Sequence, residues 1–183
     1  GKGVLILSGY LLRQYGAPGP LSLSASLVFE QTYGMVDGDS ASLAELLVLL
    51  SSLSGVPLRQ EIAVTGAVNQ HGQVQPIGGA TQKIEGFFDL CNTKGLTGTH
   101  GVMIPSTNVA NLTLRDDVIA AVEEGKFHIY AAASVDEALE LLTGAQPGSP
   151  DDVGSIHQLV AKRLAGFSSL MKAEKASGGD ETK

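Results

Sequence analysis

The sequence predicts an α/β (α+β) domain of mixed β-sheets flanked by helices, and three observations predict it. Short apolar runs, such as residues 62–68 and 101–105, alternate with longer segments whose apolar residues recur at helical spacing. Glycine and proline stand where one kind of segment gives way to the other, as at Gly55, Pro57, Gly78, Gly79 and Gly144. With 43% apolar and 17% charged residues, the 183-residue chain has the make-up of a globular protein that can bury a core.

Val4-Leu5-Ile6-Leu7 is apolar and bounded by glycines, which predicts a buried strand. A strand met at the outset reads as one entered mid-fold, so the chain is expected to be a piece of a longer polypeptide. Residues 10–15 suit a short helix, closed by Gly16-Ala17-Pro18-Gly19-Pro20. Residues 21–29 alternate, with Leu21, Leu23, Ala25, Leu27 and Phe29 on one face and serines on the other, which predicts a half-buried strand. The stretch 31–39, with two glycines and two acids, reads as irregular.

From Ser40 to Ser54, leucines 43, 46, 47, 50 and 53 follow helical spacing. Ser42 with Glu45 has the form of a capping box, and Gly55 followed by Pro57 gives the stop. Residues 62–68 predict a strand, Gln70-His71-Gly72-Gln73 a hairpin turn, and residues 74–77 the return. A helix over 80–92 carries Lys83. Strands at 101–105 and 127–131 then alternate with helices at 114–123 and 135–142, the last opened by Ser134 with Glu137.

Residues 1–144 are therefore expected to form the domain. Gln146-Pro147-Gly148-Ser149-Pro150 is a linker by composition. Beyond it, Ile156, Val160, Leu164, Phe167 and Leu170 follow helical spacing. Two readings of 145–183 stay open: an amphipathic helix packed on the domain or a partner, or a poorly ordered extension, with residues 177–183 disordered.

The net charge of −7 argues against nucleic acid or an anionic membrane as main partner, because either needs a basic face. No apolar run approaches the roughly 18 residues of a membrane span. The lone cysteine, Cys91, forms no intrachain disulfide and reads as a core residue; a cytoplasmic location is expected. The chain carries no G-x-x-x-x-G-K-[ST] phosphate loop, no H-E-x-x-H and no multi-cysteine zinc pattern. Its four histidines, 71, 100, 128 and 157, show no pairing.

A serine at a helix mouth, Ser40, is open to two readings. It can cap the helix, or it can act as a nucleophile beside amides and a dipole that favour an oxyanion. Nucleophilic use needs a base, and a neutral lysine amine serves if its pKa falls from about 10.4 to roughly 7–8. That fall corresponds to about 4 kcal/mol and requires a desolvated site. Lys83 has Ile77, Ile84, Phe87 and Phe88 near it in sequence, whereas lysines 2, 94, 126, 162, 172 and 175 lie in polar or terminal settings. A snorkelling surface lysine is the competing reading.

Gly38-Asp39-Ser40-Ala41-Ser42 resembles the catalytic-serine motif of Lon proteases, in the variant with Asp-Ser where many members have Pro-Ser. Thr65-Gly66, then Gly72-Gln73-Val74-Gln75-Pro76-Ile77-Gly78-Gly79 and Lys83, resembles the block that carries the family's lysine. The lysine stands forty-three positions after the serine, as in the family. The resemblance covers residues 1–144. It implies the compact Lon peptidase fold, ribosomal-protein-S5-domain-2-like, in hexameric rings that degrade unfolded or damaged proteins with ATP.

By that resemblance Ser40 is the nucleophile and Lys83 the general base of a dyad. Thr65 orients the lysine amine, and Asp37 matches an acid that pairs with the lysine in an inactive arrangement of some members. The resemblance also implies an upstream ATPase module that uses ATP and magnesium; no cofactor is expected in the chain itself. A catalytically silent Lon-like oligomerisation module is the alternative.

Overall fold

Gly101–Pro105 forms β4, the middle strand of a three-stranded parallel sheet, and all five of its residues are buried. It pairs with β1 (Ile62–Val64), Ile62 opposite Gly101, and with β5 (His128–Ala132), Gly101 opposite His128. A strand covered on both faces must be apolar throughout, which explains a run with no polar alternation. At Gly101 a Cβ atom would lie 2.7 Å from the His128 carbonyl oxygen and 2.8 Å from the Tyr130 ring, so only glycine fits there. The computed structural model describes residues 2–16, 23–27 and 39–177.

Side chains alternate across a strand, and here the alternation divides the interior in two. Met103 enters one cluster with residues of α1 (Lys2–Tyr15), α2 (Ser42–Ser54), α5 (Val135–Thr143) and α6 (Ile156–Ser177). Val102 and Ile104 enter the other, with Ile84 and Phe88 of α3 (Ala80–Lys94) and Val118 and Ala121 of α4 (Asp116–Glu123). Helices thus cover both faces, the arrangement a parallel sheet requires. Leu43, Leu46, Leu47 and Leu50 of α2 are essentially inaccessible, and burying each contributes about 1.5–3 kcal/mol.

The expected strand over 62–68 divides at Thr65 and Gly66. Beyond them β2 (Ala67–Val68) leaves the parallel sheet and pairs antiparallel with β3 (Val74–Gln75). The turn between them forms as its residues dictate: the Asn69 side-chain oxygen accepts the amides of His71 and Gln73, and Gly72 takes φ 79°. At α5 the Ser134 hydroxyl accepts the Glu137 amide and Glu137 accepts the Ala133 amide. Cys91 is buried, and desolvation raises its thiol above the ordinary value.

Three expectations are corrected. Residues 4–7 are not a strand; they lie in α1, where Leu7, Tyr10, Leu11 and Tyr15 fall on one helical stripe against the core. A period of two would have divided that stripe between two faces. Of the strand expected over 21–29, residues 23–27 are described and join no sheet. Leu23 touches the core, Leu27 is exposed, and with no partner ladder an alternating pattern cannot make a strand. The capping box at Ser42 does not form: Ala41 occupies the cap position and offers no side-chain cap bond, and the Ser42 hydroxyl is used elsewhere.

Residues 145–177 follow the packed-helix reading. Ile156, Val160 and Leu164 of α6 are buried within the first cluster, and the Gln146 and Pro147 carbonyls accept the Ile156 and His157 amides. Of the end expected to be disordered, only Ser177 is described, as the last residue of α6. His157 is fully buried: Nδ1 lies 2.5 Å from the Tyr15 hydroxyl and Nε2 lies 2.8 Å from Asp136 Oδ1. This relay joins α1, α5 and α6. Burial raises the Tyr15 phenol well above its ordinary range, so it remains a neutral hydroxyl.

On the opposite face Arg115 ties α3 to α4, bonding both oxygens of Asp89 and both of Asp117. The bonds to Arg115 hold both carboxyls below their ordinary values. A depressed folded pKa stabilises fully above the unfolded carboxylate value, about pH 4, and the contribution is lost as pH falls through the folded values. Arg115→Ala should therefore lower the thermal midpoint slightly near neutrality, because the pairs are exposed. That difference should shrink in melts recorded below about pH 4.

Candidate active site

The 3-10 turn Asp39–Ala41 carries Ser40 onto the start of α2, and the break between β1 and β2 holds it there. The Ser40 carbonyl accepts the Gly66 amide at 2.9 Å, and the Gly66 carbonyl accepts the Leu43 amide at 3.1 Å, one of the helix-start donors. Gly66 must be small, since a Cβ would meet Leu43 Cδ2 at 2.9 Å and Val74 Cγ1 at 3.3 Å. The Thr65 amide still bonds the Met103 carbonyl, so Thr65 belongs to the sheet while its side chain faces the turn.

Lys83 comes from the first turn of α3. Gly79, at φ 69°, starts that helix, and its carbonyl accepts the Lys83 amide. The segment before it is pinned by Asn108, whose side chain accepts the Ile77 amide and donates to the Ile77 carbonyl, both near 3 Å. The lysine is thus delivered by a fixed loop and a rigid helix rather than by a free stem.

The three side chains meet. Lys83 Nζ lies 3.0 Å from Ser40 Oγ and 3.1 Å from Thr65 Oγ1, and Thr65 Oγ1 reaches back to the Ser40 carbonyl at 3.4 Å. Thr65 is buried and Ser40 half-buried. A serine hydroxyl, a lysine amine and a third group that fixes the amine stand within hydrogen-bond reach, a geometry in which a hydroxyl can be activated. Asp37 lies outside the described residues. No histidine bonds Ser40 among the described residues, and no group of three or more His, Cys, Asp or Glu there stands as a metal site.

One expectation for Lys83 differs. Its sequence neighbours Ile84 and Phe88 do not surround it: they lie on the adjoining face of α3, in the second core cluster, and Lys83 itself is exposed in the chain alone. At about 100° per residue, adjacent positions on a helix look in different directions. Ile84 and Phe88 therefore contribute no apolar shell to the amine. Thr65→Val keeps the shape and removes the hydroxyl, so it should lower kcat for peptide hydrolysis by about 10- to 100-fold with little change in KM.

Sequence reasoning missed the holding functions of Ser42, Gly66 and Asn108. Asn108 had no signal, because its partner lies 31 positions away. Gly66 had one, a glycine inside a run that otherwise reads as a strand, which marks a break or a close backbone approach.

A serine at a helix mouth with a lysine beside its hydroxyl is an arrangement that peptide-bond hydrolysis can use. Residues 34–144 match the Lon protease C-terminal proteolytic domain, and the chain belongs to that family. It is 50% identical over 141 residues to a Lon protease homolog of Escherichia coli K12, covering 77% of this chain and 24% of that protein. A Lon protease homolog of Haemophilus influenzae is 45% identical over 171 residues, 91% of this chain and 28% of that protein. An archaeal Lon protease of Thermococcus kodakarensis is 37% identical over 113 residues, 62% of this chain and 16% of that protein. The chain spans about a quarter of the length of the first two relatives.

Proposed function

We propose that the chain is the proteolytic part of an ATP-dependent Lon-type protease, a serine endopeptidase that uses Ser40 and Lys83 as a dyad on unfolded or damaged polypeptides. The observation that carries this reading is the Lys83 amine placed 3.0 Å from Ser40 Oγ and 3.1 Å from Thr65 Oγ1. The neutral amine takes the Ser40 proton as Oγ attacks a peptide carbonyl, and the oxyanion rests on amides at the helix mouth. As the C–N bond breaks, the lysine ammonium returns the proton to the leaving amine. Water, deprotonated by the same amine, then hydrolyses the ester and frees Ser40.

Thr65 supports the base by accepting one amine hydrogen, which helps direct the lone pair at Ser40. Asp37 is proposed as the acid that pairs with Lys83 when the site is off. ATP and magnesium would serve an ATPase part of the longer protein, and the family relationship supports a cytoplasmic hexameric ring. Assembly or bound substrate would cover the exposed amine and strengthen its interactions. No helix among the described residues is long and apolar enough to cross a membrane.

Cleavage of an unstructured fluorogenic peptide tests the reading. Turnover by the parent chain that vanishes in Ser40→Ala, at an unchanged thermal midpoint, is the expected result. A parent that assembles but cleaves nothing, even joined to its ATPase part, would favour the silent oligomerisation module.

A further inference from the structure

We propose that Ser42 is a positioning residue for the reaction: its buried hydroxyl fixes the plane of the peptide between Asp39 and Ser40, and so aims the nucleophile. The inference rests on the dyad reading and adds to it how the serine is held. Ser42 is 1% exposed, and its hydroxyl is used in both senses. It donates to the Asp39 carbonyl at 2.7 Å and accepts the Val68 amide of β2 at 3.0 Å.

A serine bonding back to a carbonyl three residues earlier is a common local habit. The bond from Val68, 26 positions along the chain, is not local, and it turns that habit into a clamp. The clamped carbonyl belongs to the peptide whose nitrogen is that of Ser40. In a trans peptide the carbonyl and N–H point in opposite directions, so drawing the Asp39 carbonyl toward Ser42 turns the Ser40 N–H the other way.

The peptide on the other side of Ser40 is fixed as well, by the Gly66 amide on the Ser40 carbonyl. With both flanking peptide planes set, φ and ψ of Ser40 have no remaining freedom. The direction of its Cβ–Oγ bond then follows, leaving only the staggered choices about χ1. Both anchors, Gly66 and Val68, lie within three residues after Thr65, the residue that holds the lysine amine. One short segment therefore sets nucleophile and base relative to each other.

The test compares the parent chain with Ser42→Ala, Ser42→Cys and Ser42→Thr, reading Ser40 labelling by a fluorophosphonate, peptide kcat and KM, and the thermal midpoint. Ser42→Ala should label about tenfold or more slowly and lose kcat in step, with KM within about twofold, at temperatures well below its midpoint. Ser42→Thr keeps the hydroxyl and should recover most of the rate; Ser42→Cys, a poorer donor, should fall between. A purely structural residue would lower the midpoint and leave the rate per folded molecule unchanged.

Parent-like labelling by folded Ser42→Ala overturns the proposal while leaving the dyad in place. If Ser42→Ala does not fold, Ser42→Cys decides in the same way: slowed labelling at unchanged KM supports it, and parent rates overturn it. Absence of Ser40 labelling in the parent removes the dyad reading, and this inference with it.

Discussion

Lys83→Ala is expected to lower peptide cleavage by at least about 100- to 10,000-fold, the span a positioned general base contributes. The fold should not suffer. Lys83 is exposed, its hydrogen-bond partners among the described residues are the two site hydroxyls, and surface replacements of this kind stay within about 0.5 kcal/mol. Loss of turnover at an unchanged thermal midpoint is the signature. Lys83→Arg sharpens the test: guanidinium keeps charge and donors but never becomes neutral at accessible pH. If Lys83 only had to donate to Ser40, Arg would preserve activity; as a base it must fail. Appreciable turnover by Lys83→Arg would contradict the dyad.

Phe127→Ala should give the largest loss of stability, about 3–5 kcal/mol. Phe127 is wholly buried at the entry to β5, edge-on to Phe88 with ring centroids 5.3 Å apart and tilted against Phe87 at 6.4 Å. Deleting the ring leaves a cavity beside α3, within the second core cluster. For a domain of this size the midpoint should drop by roughly 2–4 °C per kcal/mol, read by calorimetry or circular dichroism. Because α3 also delivers Lys83, activity should fade with heating earlier than in the parent. A shift of only a degree or two would mean that the second cluster does not anchor that helix.

What could be read in the sequence followed the range of the interactions involved. The helix at Val135–Thr143 was legible because its cap and its stop, Ser134 and Gly144, lie within the element. The all-apolar β4 and the turn around Asn69 were legible for the same reason. Residues 4–7 were misread because four consecutive apolar residues fit either period, and contact with α2 settled the matter. Ser42 was assigned to its own helix, whereas its hydroxyl accepts an amide from β2. His157 carried no signal at all, since its partners stand 142 and 21 positions away.

The candidate site was legible in a different way. On residues alone Ser40 could as well be a cap, and Lys83 read more readily as a surface lysine than as a base. Two motifs in order and at the right separation selected both, and their side chains stand 3.0 Å apart. Sequence proximity misled in placing Ile84 and Phe88 around the amine, because helix rotation turns both into the core. Gly66 shows the same limit: its glycine was visible, but the carbonyl and amide it holds belong to the Ser40 turn.

The dyad is tested most directly by intact mass after incubation with a fluorophosphonate, in the parent chain, Ser40→Ala and Lys83→Ala. A single adduct on Ser40 of the parent and none on either variant is the predicted result. An adduct on another serine, or labelling of Lys83→Ala at the parent rate, would contradict it.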